Sequence, residues 1–372
     1  MGVENNNKKN DLVLAVFFSY GVGIETWQRQ GIIDRELALY TRLIPFFKKI
    51  YFFTYDTLSN HKEIDKDLIV VPNSSWLPNF LYSLFMPFVH RKLLSSATIY
   101  KTNQMYGSWS AVIAKWFFHK PLVVRAGFRL STNARHLDIF RKTIARMIER
   151  LALMNADYAI ATTREDAEYY QFFATHVTVI PNFVDTELFS PKIGGGDGSV
   201  RTLLYVGRLS KEKNLGNLIE AVCNLPNVQL LIVGDGEERA SLEGQAKNSQ
   251  APVVFKGKAS YAEVANYMKQ ADVFVLPSLY EGNPKVILEA MASGLPVVAT
   301  NVRGINTLIE HGVTGFLTGI GSKEIRCGIE TLLKNPQMCL QLGKTARERA
   351  VEHYTLKKIS KKELVLYSCL LS

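Results

Sequence analysis

Short apolar, β-branched runs recur along the whole chain, each followed by a stretch of helical periodicity, and few folds accommodate that alternation. In the first half the runs are Leu12 to Phe18, Ile50 to Thr54, Leu68 to Val71, Thr98 to Tyr100, Leu122 to Val124 and Tyr158 to Ala161. In the second they are Thr202 to Val206, Gln229 to Val233, Val253 to Phe255, Val273 to Leu276 and Pro296 to Ala299. Runs apolar on both faces and separated by helices indicate α/β architecture with parallel, doubly wound sheets. A length of 372 residues favours two domains, and the glycine-dense stretch Pro191 to Ser199 is a natural linker. The expected division is 1–190, a linker at 191–200, a second domain at 201–350, and a terminal helix at 351–372 returning to the first domain.

In such sheets ligands bind beyond the carboxyl ends of the strands, so the polar turns that follow apolar runs are the candidate sites. One such turn opens the segment Ser278 to Thr300, SLYEGNPKVILEAMASGLPVVAT, which sets Glu289 in an otherwise apolar helix and Glu281 just ahead of it. A buried carboxylate requires hydrogen-bond donors, and a ligand's hydroxyl pair would supply them. Gly282, Asn283 and Pro284 read as a turn with proline at the first helical position, a helix start suited to an anion. After Thr202 to Val206 comes GRLSKEKN, where Arg208 and Lys213 suit a diphosphate: Arg grips oxygens bidentately and Lys adds a compact charge. As an ordinary surface turn, the same segment would carry no ligand.

The net charge of +10 points to anionic partners. From Arg91 to Arg150 there are twelve basic residues and two acids, an excess equal to that of the whole chain. A helix from about Thr132 to Met154 would gather Arg135, Lys142, Arg146 and Arg150 on one stripe and Phe140, Ile144, Met147, Ile148 and Leu151 on another. That is either an ordinary amphipathic helix or a contact for an anionic membrane surface. Phe80 to Val89 is too short to span a bilayer and reads as a helix packed on the sheet, with an interfacial anchor as the alternative. Four cysteines without paired or metal-like spacing suggest a reducing compartment. With no apolar leader and no apolar run near the roughly 20 residues of a spanning helix, a cytoplasmic location is expected, peripheral at the inner membrane face if the basic helix binds lipid.

The set GRLSKEKN, IVGDGEE, ADVFVLPSLYEGNPKVILEAMASGLPVVAT and TGFL, in this order and preceded by IPNFVDTELFSP, closely resembles the retaining family-4 glycosyltransferases with the GT-B fold. The match covers roughly Val179 to Leu317. It implies two Rossmann-like domains facing across a cleft, the first binding the acceptor and the second a nucleoside-diphosphate sugar. By resemblance, Arg208 and Lys213 hold the diphosphate, Glu289 accepts from the ribose diol, and Glu281 contacts the transferred sugar. In the loop SYGVGIE, Gly21 or Gly23 would let backbone approach the diphosphate, a departure from the family's paired glycines. Where the family often places a cleft histidine, this chain has Arg125, Ala126 and Gly127, so Arg125 is a candidate cleft residue and no general base is assigned.

No cofactor is expected, and no metal. Asp65-Lys66-Asp67 matches the Asp-x-Asp pattern of another glycosyltransferase fold, but so short a pattern arises by chance and no second ligand cluster accompanies it. The resemblance implies transfer of a sugar to a glycan or polyprenyl-linked acceptor at the cytoplasmic membrane face, in surface polysaccharide or glycolipid synthesis. Two other classes compete: a sugar-nucleotide epimerase of the same fold, and a basic membrane-binding adaptor without catalysis. Intact Arg208, Lys213, Glu281 and Glu289 weigh against the adaptor, and no motif points to nucleic acid.

Overall fold

The computed structural model describes residues 11–57, 64–130, 139–192 and 200–372. It divides into two compact units, 1–180 with 360–372, and 181–359. The division falls at Ile180 and Pro181, upstream of the glycine-dense segment, most of which (193–199) lies outside the described residues. Residues 181–190 belong to the second unit because Val184 pairs with Thr355 and Phe189 is fully buried in that unit's core.

The first unit is built on a seven-stranded sheet in the order β3-β2-β1-β4-β5-β6-β7: β1 Val13–Phe17, β2 Lys49–Thr57, β3 Leu68–Asn73, β4 Ile99–Thr102, β5 Leu122–Ala126, β6 Tyr158–Ala161 and β7 Val177–Val179. The second has six strands in the order β10-β9-β8-β11-β12-β13: β8 Arg201–Val206, β9 Val228–Val233, β10 Val253–Gly257, β11 Val273–Leu276, β12 Val297–Thr300 and β13 Phe316–Thr318. Every pairing within both sheets is parallel. Central strands such as β11 and β12 are buried at every residue, which is why they read as unbroken apolar runs. In both sheets the strand order reverses once, between β1 and β4 and between β8 and β11, and these switch points are where a doubly wound sheet opens a crevice.

Two strands escape the sequence pattern. β7 and β13 have three residues each, too few to show a period. Two helices also turn the opposite way from an ordinary amphipathic helix. In Ile139–Asn155 the buried residues are Ala145, Glu149, Ala152 and Leu153, and the large apolar stripe faces out. Its expected beginning, with Arg135, lies outside the described residues. In Asn79–Val89 the inward face is Tyr82, Ser83, Met86 and Pro87, leaving Leu81, Phe85 and Phe88 exposed rather than packed on the sheet. The terminal helix, Leu356–Leu371, starts in the second unit and gives the first unit its residues from Ser360 onward.

Candidate active site

At the switch point of the second sheet, the turn after β8 carries Arg208 and Lys213, and the turn after β11 carries Glu281. The two turns are joined by charge: Lys213 Nζ lies 2.6 Å from Glu281 Oε1, and both side chains are partly exposed. Ser278, fully buried, donates from Oγ to the same carboxylate oxygen at 2.8 Å, and its carbonyl accepts from Thr300 at the end of β12. Backbone closes the frame: Leu279 N donates to Glu212 O at 2.8 Å. Asn214, in the left-handed conformation at φ 57°, donates to Pro277 O at 3.0 Å and Ile320 O at 2.8 Å.

Glu212 sits among these charges. Desolvation pushes its carboxyl up, but hydrogen bonds from Ser210 and its own amide, together with the nearby Lys213 and Arg208, carry it below the ordinary carboxylate range. Tyr205, whose hydroxyl donates to Arg208 O at 2.8 Å, is driven well above its usual value by burial and then by Glu281 and Glu212. The Arg208 side chain is exposed. The mouth of this sheet thus holds Arg208, Lys213, Glu212 and Glu281 on two short, mutually tethered turns.

Gly282, Asn283 and Pro284 lead from Glu281 into the helix Lys285–Ala292. Pro284 is the residue before that helix, φ −68° and ψ 112°, rather than its first residue as expected. Asn283 is buried, its side-chain carbonyl accepting from Asn182 N at 3.1 Å and its backbone carbonyl from Asn182 Nδ2 at 2.7 Å. Gly304 lies against this turn at φ +85°, where a Cβ would stand 2.2 Å from Gly282 O, so only glycine lets the two backbones approach. Glu289, on the same helix, is 2% exposed among Ile287, Leu288, Ala290 and Met291.

The first unit departs from expectation at two places. At Gly23 the space a side chain would take is filled by Asp56: a Cβ there would stand 1.9 Å from Asp56 Oδ1. The Asp56 carboxylate accepts from Ile24 N at 2.7 Å and Glu25 N at 3.3 Å, so an internal anion already occupies the start of helix Ile24–Arg29. Gly21, at φ +72°, has open space where a Cβ would be. Arg125 is held by a carboxylate of its own unit. It is 7% exposed, and its Nη1 lies 3.4 Å from Glu363 Oε1. Glu363 also takes Lys101 Nζ at 2.6 Å and the Tyr367 hydroxyl at 2.8 Å, with both Lys101 and Glu363 fully buried. Burial raises the Glu363 carboxyl, but the two cations and the hydrogen bonds from Lys101 and Tyr367 outweigh it, and the net shift is downward.

Among the described residues no group of three His, Cys, Asp or Glu side chains could hold a metal ion. Asp65 accepts from Asp67 N at 3.2 Å, and Asp67 lies 3.6 Å from Lys49 Nζ, so this pair stabilises its own turn. The sequence reading missed Ser278, Glu212, Asn214, Asn182 and Gly304. The first four lie inside the motifs already singled out, whereas nothing but its contact marks Gly304.

Residues 189–349 match the family of glycosyl transferases group 1. Over 201 residues the chain is 31% identical to the UDP-Gal:alpha-D-GlcNAc-diphosphoundecaprenol alpha-1,3-galactosyltransferase of Escherichia coli, covering 49% of this chain and 51% of that protein. The chain spans about half or less of the length of the first curated relatives it matches. Among solved structures, sucrose-phosphate synthase from Thermosynechococcus elongatus superposes with a TM-score of 0.79 at 22% identity, covering 97% of this chain and 99% of that one. Anabaena Alr3699/HepE in complex with UDP and glucose gives 0.78 at 22% identity, covering 96% and 100%. The fold of the chain is the GT-B fold of these solved structures, and the segment of its second unit from 189 to 349 matches the group 1 family.

Proposed function

We propose that the protein is a retaining, metal-independent family-4 glycosyltransferase that moves a sugar from a nucleoside diphosphate to a glycan or polyprenyl-linked acceptor. The work would take place at a cytoplasmic membrane face, in surface polysaccharide or glycolipid synthesis. The observation that carries this reading is the Lys213–Glu281 pair, with Arg208 on the same turn as Lys213, at the switch point of the second sheet. The comparisons add that HepE was solved with UDP and glucose and that the bacterial relative is a galactosyltransferase acting on a diphosphoundecaprenol substrate.

In this mechanism the donor diphosphate draws Lys213 from Glu281, and Lys213 and Arg208 meet the charge that grows on the leaving phosphate as the sugar C1–O bond breaks. The helix start at Asn283, Pro284 and Lys285 adds its positive end. Glu281, released from Lys213, accepts hydrogen bonds from the sugar's hydroxyls, and Glu289 accepts them from the ribose. Gly21 offers backbone to the diphosphate. The acceptor hydroxyl attacks C1 from the face the diphosphate leaves, its proton passing to the departing phosphate oxygen, so configuration is kept without an enzyme nucleophile.

The test is a thermal-stability screen of the full chain against UDP- and GDP-sugars, with and without EDTA. One nucleotide sugar at about 100-fold above its Kd should stabilise the protein by about 2.7 kcal/mol, and EDTA should not diminish it. Lys213→Ala should abolish the shift. No stabilisation by any nucleotide sugar would overturn the reading, as would a shift that survives Lys213→Ala and Arg208→Ala together.

A further inference from the structure

The helix Ile139–Asn155 is inside out for a water-soluble surface. Its outward stripe, spaced as one helical face, includes Phe140 at 71% exposed, Met147 at 64% and Met154 at 70%. Exposed Arg146 and Arg150 border it. The stripe does not end at the helix edge. Trp116, half exposed on the neighbouring helix Trp109–Phe118, donates from Nε1 to Asn155 at 2.7 Å. Next to Trp116, Phe117 meets Phe88 of the helix Asn79–Val89 edge-on, with ring centroids 4.6 Å apart. Three helices of the first unit, joined by these contacts, therefore expose large apolar side chains beside one another, unlike the scattered single side chains of an ordinary exterior.

Charge selects what covers it. Between Asn79 and Asn155 the acids are Asp138, outside the described residues, and Glu149, which is fully buried and accepts from Leu130 N at 3.0 Å. Among the described residues this stretch exposes no carboxylate, while Arg91, Lys92, Arg146 and Arg150 are exposed. A second copy of the chain would bring these guanidinium groups against their own kind in a drying interface, which is unfavourable without counter-charge. A bilayer with anionic headgroups fits both features: rings and thioethers enter the acyl boundary, and Arg and Lys stay at phosphate level.

We propose that this face docks the first unit on an anionic lipid membrane. It needs neither Lys213 nor Glu281, so it stands or falls apart from the donor-site reading. The face is interfacial only, as no helix among the described residues is long and apolar enough to cross a membrane.

Flotation of the full chain with phosphatidylcholine vesicles, and with mixed phosphatidylglycerol–phosphatidylcholine vesicles, tests it. Binding should require the anionic lipid and weaken as salt rises. Phe140→Ser with Met147→Ser should lower the partition coefficient about tenfold or more, and Lys92→Glu with Arg146→Glu by a similar factor. Since these four side chains are exposed or on the rim, melting temperatures should stay near that of the parent protein, which separates lost docking from lost folding. No binding to anionic vesicles, equal binding to neutral ones, or parent-like binding by both double variants would overturn the proposal. So would a concentration-dependent dimer abolished by Phe140→Ser with Met147→Ser, because the face would then belong to a second copy.

Discussion

Each unit contains a lysine–glutamate contact of the same length, 2.6 Å, and their surroundings make them different devices. Lys101 and Glu363 are fully buried, and the carboxylate also takes Arg125 and Tyr367. Lys213 and Glu281 keep 19% and 12% of their side-chain surface open at the mouth of a sheet, with Ser278 the other partner of the carboxylate. A buried pair holds because removing either partner strands a charge in a medium that solvates it poorly. A pair that keeps contact with solvent at the mouth of a sheet can exchange one partner for a ligand's charge without leaving the other unpaired. Contact length does not distinguish the two pairs; solvent access does.

The comparison breaks most sharply at Glu363. Glu363→Leu leaves Lys101 and Arg125 without their shared anion and should destabilise the protein by about 3–5 kcal/mol in chemical denaturation. Lys101→Met should cost distinctly less, because Glu363 keeps Arg125 and Tyr367. Equal losses, or a Glu363→Leu variant as stable as its parent, would show that this cluster is no anchor for the terminal helix.

At the other pair the expected loss is in rate. Lys213→Ala should lower turnover by about two orders of magnitude, roughly 3 kcal/mol of barrier, while its stability loss stays below that of Glu363→Leu. A variant of Lys213 that is catalytically normal would remove the functional half of the comparison, and one that fails to fold would erase its contrast with Glu363.

How much of this was legible beforehand follows from what sequence encodes. The strands of the second sheet and the charged turns behind β8 and β11 lie in local, strongly patterned segments, so both the architecture and the candidate residues could be read there. The pairing of Lys213 with Glu281 crosses 68 residues and leaves no local trace. Arg125 shows the limit more clearly. Its partner lies 238 residues away on the last helix, and a basic residue after β5 reads the same whether it faces a ligand or Glu363. Periodicity likewise identified the apolar stripe of Ile139–Asn155 but not its direction, because a period says which residues share a face and not what that face meets.

Asp56 carries the smallest of these effects, and it sharpens the contrast between the two switch points. In the second unit the turn after β8 presents cations and the turn after β11 a carboxylate paired with one of them; in the first, the turn after β1 leads to a helix start whose amides Ile24 N and Glu25 N are held by Asp56. A six-residue helix has few hydrogen bonds of its own, so losing a carboxylate acceptor should cost about 1 kcal/mol, the usual worth of a cap. Asp56→Ala should show that loss in denaturant unfolding, and Asp56→Asn part of it, since its side-chain oxygen can still accept. Gly23→Ala should cost at least as much, because the added methyl would displace the carboxylate. None of the three should alter stabilisation by a nucleotide sugar, which Lys213→Ala removes. If Asp56→Ala is neutral in stability yet changes nucleotide-sugar stabilisation, the helix start belongs with the ligand-binding turns and Asp56 is no internal substitute for a bound anion.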